Sequence, residues 1–77
     1  METILNPNGI LPRQLNLLLQ EIQCNPENSF GVFTYRILPN FDIELDFTTT
    51  SHGTSRQVAG SVAGVLSKVF GRGFRVR

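Results

Sequence analysis

Residues 41–48 alternate strictly between apolar and polar side chains, and this alternation limits the chain to folds that contain a half-buried strand. The apolar side of such a strand must be covered by another element, which the rest of the chain has to supply. The apolar members are Phe41, Ile43, Leu45 and Phe47, and the polar members are Asp42, Glu44, Asp46 and Thr48.

A second strand is predicted over residues 29–38, which are rich in phenylalanine, valine, tyrosine and isoleucine. Pro39 and Asn40 separate the two runs and are typical of the central positions of a tight turn. Because so short a connection joins antiparallel neighbours, we expect a β-hairpin.

A first helix is predicted over residues 12–24, before the hairpin. Pro12 suits the first helical turn, where its missing N–H is not needed, and Pro26 pushes Asn25 away from helical dihedral angles. Its apolar residues follow the spacing of one helix face. They are Leu11, Leu15, Leu18, Leu19 and Ile22.

A second helix is predicted over residues 55–70, after the hairpin. Thr54 and Gln57 have the spacing of a capping box, and Gly71 suits the end of a helix. The apolar stripe of this helix consists of Val58, Val62, Val65, Leu66 and Val69.

The C-terminal residues 72–77 alternate arginines with Phe74 and Val76, which predicts either a basic tail or a short edge strand. A strand here could pair with either strand of the hairpin. Beside the acidic strand its arginines would be neutralised by the three acids across the sheet; elsewhere they would stay free.

These elements predict one small α+β domain in the order α-β-β-α-(β), with both helices packed on the apolar face of the sheet. A length of 77 residues allows one domain. Residues 1–9 include Pro7, Asn8 and Gly9, and we expect them to form a flexible N-terminal segment.

The sequence offers neither a disulfide nor a full set of zinc ligands to stabilise the domain. Cys24 is the single cysteine, so no disulfide within the chain is possible, and Cys24 with His52 supplies two of the four ligands that structural zinc needs. We therefore expect no metal and no cofactor. Small domains without such supports often gain stability from a partner, which favours a homo-oligomer or a complex with another protein.

Charge is divided unevenly along the chain. Residues 1–50 carry two cations and six acids, a net charge of −4, whereas residues 51–77 carry five cations and no acid, a net charge of +5. Either the two halves neutralise each other in the fold, or the basic half binds a polyanion such as RNA. The candidate anion or nucleic-acid contacts are His52, Gly53, Thr54, Ser55, Arg56, Lys68, Arg72, Arg75 and Arg77.

No catalytic group stands out. His52 is the one side chain whose ordinary pKa lies near neutrality, but it has no evident nucleophile or second acid to work with, so we do not expect an enzyme. The loop at residues 51–56 is the better candidate site, because the start of a helix offers unpaired N–H groups to a phosphate.

A protein interface is the other candidate site. Gly60 and Gly64 are spaced four apart, which lets a helix lie close on a sheet or contact a second chain. Leu17 lies off the apolar stripe of the first helix, and Phe74 stands between arginines, so both are candidate contacts.

The order helix, hairpin, helix resembles the double-stranded-RNA-binding domain over about half of the chain. Residues 53–59 are similar to the start of the last helix of that family, and residues 62–66 are similar to its apolar continuation. That family has three strands between its helices and several lysines in the last one, whereas this chain has two predicted strands and Arg56. The resemblance is one of topology, which assigns no function by itself.

We expect a non-enzymatic interaction module that self-associates or docks on a protein partner, with RNA binding as the alternative. No signal-peptide pattern and no run of about 20 apolar residues is present, so a membrane location is not expected. A lone cysteine agrees with a reducing compartment, which favours the cytoplasm.

Overall fold

Four strands and two helices follow one another in the computed structural model, which describes residues 1–25, 30–51 and 53–77. In chain order they are β1 (Glu2–Leu5), α1 (Pro12–Cys24), β2 (Phe33–Ile37), β3 (Ile43–Phe47), α2 (Ser55–Phe70) and β4 (Arg75–Val76). The predicted α+β class is confirmed, and both helices have the predicted bounds. The antiparallel hairpin of β2 and β3 is confirmed as well.

β1 is the element that the sequence did not predict. It lies inside the sheet, whose strand order is β2-β3-β1-β4, and it pairs antiparallel with both neighbours. The expectation of a flexible segment over residues 1–9 is therefore wrong. The physical reason is that Ile4, with no exposed surface, joins the core while the β1 backbone completes two hydrogen-bonded ladders.

The helices connect strands that are not neighbours. β1 and β2 run parallel to each other with β3 between them, and β3 and β4 run parallel with β1 between them. This is the split βαβ arrangement of ferredoxin-like domains. It differs from the double-stranded-RNA-binding topology, because one strand precedes α1 and another follows α2.

β4 forms the edge of the sheet and pairs with β1, not with the hairpin. Leu5 lies opposite Arg75, and Ile4 lies opposite Val76. The short edge strand is thus confirmed, whereas the pairing with either hairpin strand is wrong. Because β1 separates β4 from β3, the arginines of β4 are not the cross-strand neighbours of the acids on β3.

The hydrophobic core lies between one face of the sheet and the two helices. α1 packs mainly against β2, and α2 packs against β1 and β4. The side chains with no exposed surface are Ile4, Leu15, Leu19, Ile43, Leu45, Ala59, Val62 and Leu66. The opposite face of the sheet is covered by neither α1 nor α2, and each of the four strands places polar side chains there.

Asn6 is buried and joins the end of β1 to two loops. Its amide Nδ2 donates to the carbonyl oxygens of Ile10 at 2.9 Å and Phe41 at 3.1 Å. Its Oδ1 accepts from the N–H of Ile10 at 3.2 Å, and its backbone N–H donates to Oδ1 of Asp42 at 2.9 Å. A buried polar group is stable only when it is paired in this way.

The substitution Ile4→Ala should reduce the free energy of unfolding by about 2–5 kcal/mol, because it leaves a cavity in the core. Ile4→Val should cost about 0.5–1.5 kcal/mol and keeps the domain folded for measurement. Leu17→Ala, at a side chain that is 69% exposed, is the control and should change stability by less than about 0.5 kcal/mol. Urea denaturation measures all three. Equal stability of Ile4→Ala and the parent chain would contradict the inner position of β1.

Candidate functional site

A groove of about 470 Å³ runs between α2 and β4 at the edge of the sheet. A volume of this size is within the range of known ligand-binding clefts. α2 lines one wall with Arg56, Gln57, Gly60, Ala63 and Gly64. The other wall is formed by Phe74, Arg75 and Val76.

Gly60 and Gly64 form the open part of the helix wall. Both are exposed, and a Cβ atom built on either would meet no atom within 4 Å apart from the neighbouring residues and backbone of its own helix. The prediction that they let α2 lie close on the sheet is therefore wrong. They lie roughly 200° around the helix from the buried Val58 and Val62, since each residue turns an α-helix by about 100°.

The wall opposite the helix is largely apolar. Phe74 is 6% exposed, belongs to the core, and its ring lies 6.3 Å from that of Phe70. It is therefore not an exposed aromatic side chain on which a base could stack. Phe74 and the half-buried Val76 instead give the groove an apolar surface.

Two cations, Arg56 and Arg75, line this groove, and three more lie nearby in the sequence, namely Lys68, Arg72 and Arg77. The guanidinium of Arg56 donates to the carbonyl oxygen of Arg77 at 3.0 Å and so bridges α2 and the end of β4. Lys68 lies four residues beyond Gly64 on α2, and Arg72 follows the helix. Arg75, opposite Leu5, is exposed on the face of β4 away from the helices.

None of these five cations forms an ion pair within the described residues. The ion pair found there joins Arg36 on β2 and Glu44 on β3, at 2.8 Å, at the end of the sheet farthest from β4. In the part of the chain that the structure describes, the acids therefore form no ion pair with the cations of the α2–β4 edge.

The backbone of β4 also has a free edge. The N–H of Arg77 donates to the carbonyl oxygen of Thr3 at 2.8 Å, so Arg77 faces β1. Backbone groups of alternate residues in an antiparallel ladder point to opposite sides. The N–H and C=O of Val76 therefore point away from β1, toward the open edge of the sheet.

The start of α2 is already occupied by groups of the chain itself. The Thr54 hydroxyl oxygen accepts from the N–H of Gln57 at 3.2 Å, and Oε1 of Gln57 accepts from the N–H of Thr54 at 2.9 Å. This confirms the predicted capping box. Ser55 donates to a carboxylate oxygen of Glu2 at 3.1 Å, which places an acid where a phosphate was expected. Gly53 is exposed beside this cap, and His52 lies outside the described residues.

Two of the three acids of the predicted half-buried strand are engaged in the fold. Asp42 accepts from the N–H of Asn6 and from the side-chain amide of Asn40, and Glu44 pairs with Arg36. Asp46 is exposed. Among the residues that the structure describes, no three His, Cys, Asp or Glu side chains lie together as a metal site would require.

The opposite edge of the sheet, at β2, borders a second cavity of about 510 Å³, which lies between the end of α1 and the start of β2. Its lining residues are Gln23, Cys24, Asn25, Gly31, Val32, Phe33 and Thr34. The amide of Gln23 on α1 donates to the carbonyl oxygen of Phe33 at 2.9 Å, and the hydroxyl of Tyr35 contacts Asn16. Burial raises the pKa of Tyr35 above its ordinary value. Leu17 and Cys24 are exposed on α1 and do not line the α2–β4 groove.

No helix in the described part of the chain is long and apolar enough to cross a membrane. No protein-family model, curated protein or solved structure matches this chain. A functional assignment therefore rests on the geometry of the domain.

Several groove residues were singled out from the sequence for other reasons. Phe74, Gly60 and Gly64 were proposed as protein contacts, and Arg56 and Arg75 as anion contacts, yet all five line the same groove. Ala63 and Val76 were not predicted as site residues. The signal that would have found them is the pairing of β4 with β1, which brings β4 beside α2.

Gly60→Ala and Gly64→Ala should each raise the free energy of unfolding by about 0.5–1 kcal/mol, because alanine loses less backbone entropy in a helix and meets no neighbour here. Gly31→Ala is the matched control. Its Cβ would collide with the backbone oxygen of Thr49, and its φ of +102° is strained for alanine, so it should destabilise the domain. Urea denaturation is the measurement; a loss of stability at Gly60 or Gly64 would show that these glycines serve the packing of the chain itself.

Proposed function

We propose that the chain is a non-enzymatic protein-interaction domain that binds its partner in the groove between α2 and β4. The observation that carries this proposal is the coincidence of an apolar groove with the open backbone edge of Val76. Addition of an extended segment to an open sheet edge is a recurring mode of peptide recognition, in which the backbone supplies hydrogen bonds and a neighbouring groove takes side chains.

The two helical glycines support this proposal. A glycine in the middle of a helix destabilises it by about 1 kcal/mol relative to alanine, and the fold of the single chain does not require either one. Departures from local preference are expected where a function requires them. A helix wall without side chains lets the backbone of a bound segment approach α2 closely.

The ionisable side chains of the groove support a binding role over a catalytic one. They are Arg56 and Arg75. A guanidinium carries five N–H donors and no acceptor, so these two groups suit the binding of a negatively charged partner.

RNA binding is the second candidate function, and the five unpaired cations favour it. The exposed face of the sheet, however, also carries Glu44 and Asp46, and Phe74 is buried in the core. Binders of single-stranded RNA combine a basic surface with accessible aromatic rings on which bases stack. The α2–β4 edge provides the charge without such rings, which makes protein binding the better supported proposal.

A library of random heptapeptides displayed on phage, selected on the immobilised domain, tests the proposal. Filling the groove with Gly64→Leu should weaken binding of the selected peptides by about tenfold or more, since a leucine side chain occupies the space of the bound segment. Ser61→Leu adds the same side chain to an exposed position of α2 that does not line the groove, and should leave binding unchanged.

The same two variants separate the candidate functions. Light scattering shows whether a second copy of the chain occupies the groove, in which case Gly64→Leu reduces the mass and Ser61→Leu does not. Two results together would overturn the proposal in favour of RNA. They are binding of a mixed-sequence RNA with an affinity that falls steeply with salt, and selected peptides whose affinity is the same for Gly64→Leu as for the parent chain.

A further inference from the structure

We propose that the α2–β4 groove takes an extended acidic segment of another protein, which adds to β4 as a fifth strand. In this arrangement an apolar side chain of the segment enters the groove, and its acidic neighbours lie against the arginines of β4. This inference rests on the proposed function and names the class of partner that the groove selects.

The position of Val76 fixes how such a segment would lie. Val76 offers the open N–H and C=O, and its side chain lies on the helix side of the sheet, opposite Ile4 in the neighbouring strand. Directly opposite residues of paired strands point to the same face. The residue that pairs with Val76 therefore directs its side chain into the groove, where Gly64, Ala63 and Phe74 provide an apolar surface.

The two arginines that flank Val76 would select a partner by its charge. Arg75 and Arg77 are exposed, and as the neighbours of Val76 they lie on the opposite face of the strand. The residues before and after the one paired with Val76 would lie on that same face, against these arginines. An acidic, apolar, acidic alternation thus matches β4, because opposite charges across paired strands are stabilising and like charges are not.

The same charges argue against a second copy of this chain as the occupant. If two β4 strands paired about Val76, Arg75 of one copy would lie opposite Arg77 of the other, on the same face of the joined sheet. Two such like-charged pairs would weaken this dimer. Short edge strands that carry charge resist unspecific pairing in this way, and they discriminate among partners by repulsion as well as attraction.

Arg56 extends this preference for acidic segments. It lines the groove on α2 and donates to the carbonyl oxygen of Arg77, so positive charge also lies at the end of β4. On β2, by contrast, the cation Arg36 forms an ion pair with Glu44.

Three displayed heptapeptide libraries with the same apolar residues at alternate positions test this inference. The remaining positions hold acids in the first library, lysine or arginine in the second, and uncharged polar residues in the third. We expect enrichment of the acidic library on the domain. Arg75→Glu should weaken binding of the enriched peptides roughly three- to tenfold, whereas Arg13→Glu, the same change at an exposed position on α1, should not.

Other outcomes have distinct meanings. Equal enrichment of all three libraries, with binding lost in Gly64→Leu, would overturn the acidic class and leave the groove as the binding site. If acidic peptides with adjacent apolar residues bind as tightly as those with alternating apolar residues, the claim that the segment adds to β4 as a strand is wrong. No groove-dependent peptide in any library would contradict both this inference and the proposed function.

Discussion

The insertion of β1 between β3 and β4 is the constraint on which the rest of this structure depends. Ile4 lies opposite Ile43 on one side and Val76 on the other, so a single buried residue sets the register of two ladders. Because β1 occupies the middle of the sheet, β4 can reach the sheet only at its edge, beside α2. The groove, its open backbone edge and its separation from the acids of β3 all follow from this placement.

The parts of the fold that the sequence predicted are those with long periodic signals. α1 and α2 each span at least 13 residues with a repeated apolar stripe and a clear start or end signal, so local physics was sufficient. The alternation of residues 41–48 predicted β3 in the same way. β1 has four residues, of which one is buried, and no local pattern of that length distinguishes a strand from a polar segment.

The candidate site was predicted in its residues but not in its arrangement. The pairing of β4 with β1 joins residues about 70 positions apart, and neither composition nor spacing indicates such a contact. The two helical glycines also show that residue spacing does not predict tertiary contacts. Their spacing suggested close packing, but the helical positions of Val58, Val62 and Leu66 direct the opposite face of α2 to the sheet, which leaves Gly60 and Gly64 in the open.

Three features that are unfavourable or neutral for a free domain occur together along one edge. Among the described residues they are two glycines within a helix, a strand edge with no neighbouring strand, and cations that form no ion pair. Each has an ordinary explanation by itself, since edge strands often carry charge to avoid aggregation. Their coincidence around one apolar groove is what makes this edge the best supported binding surface of the domain.

Whether the edge of β4 is open in the free domain is the question that tests this account most directly. Amide hydrogen exchange, followed residue by residue by NMR on the monomeric chain, measures it. We expect fast exchange for the N–H of Val76 and slow exchange for that of Ile4, which lies within the inner ladder between β1 and β3. Strong protection of Val76 in the absence of any partner would show that the edge is already occupied and would contradict the account.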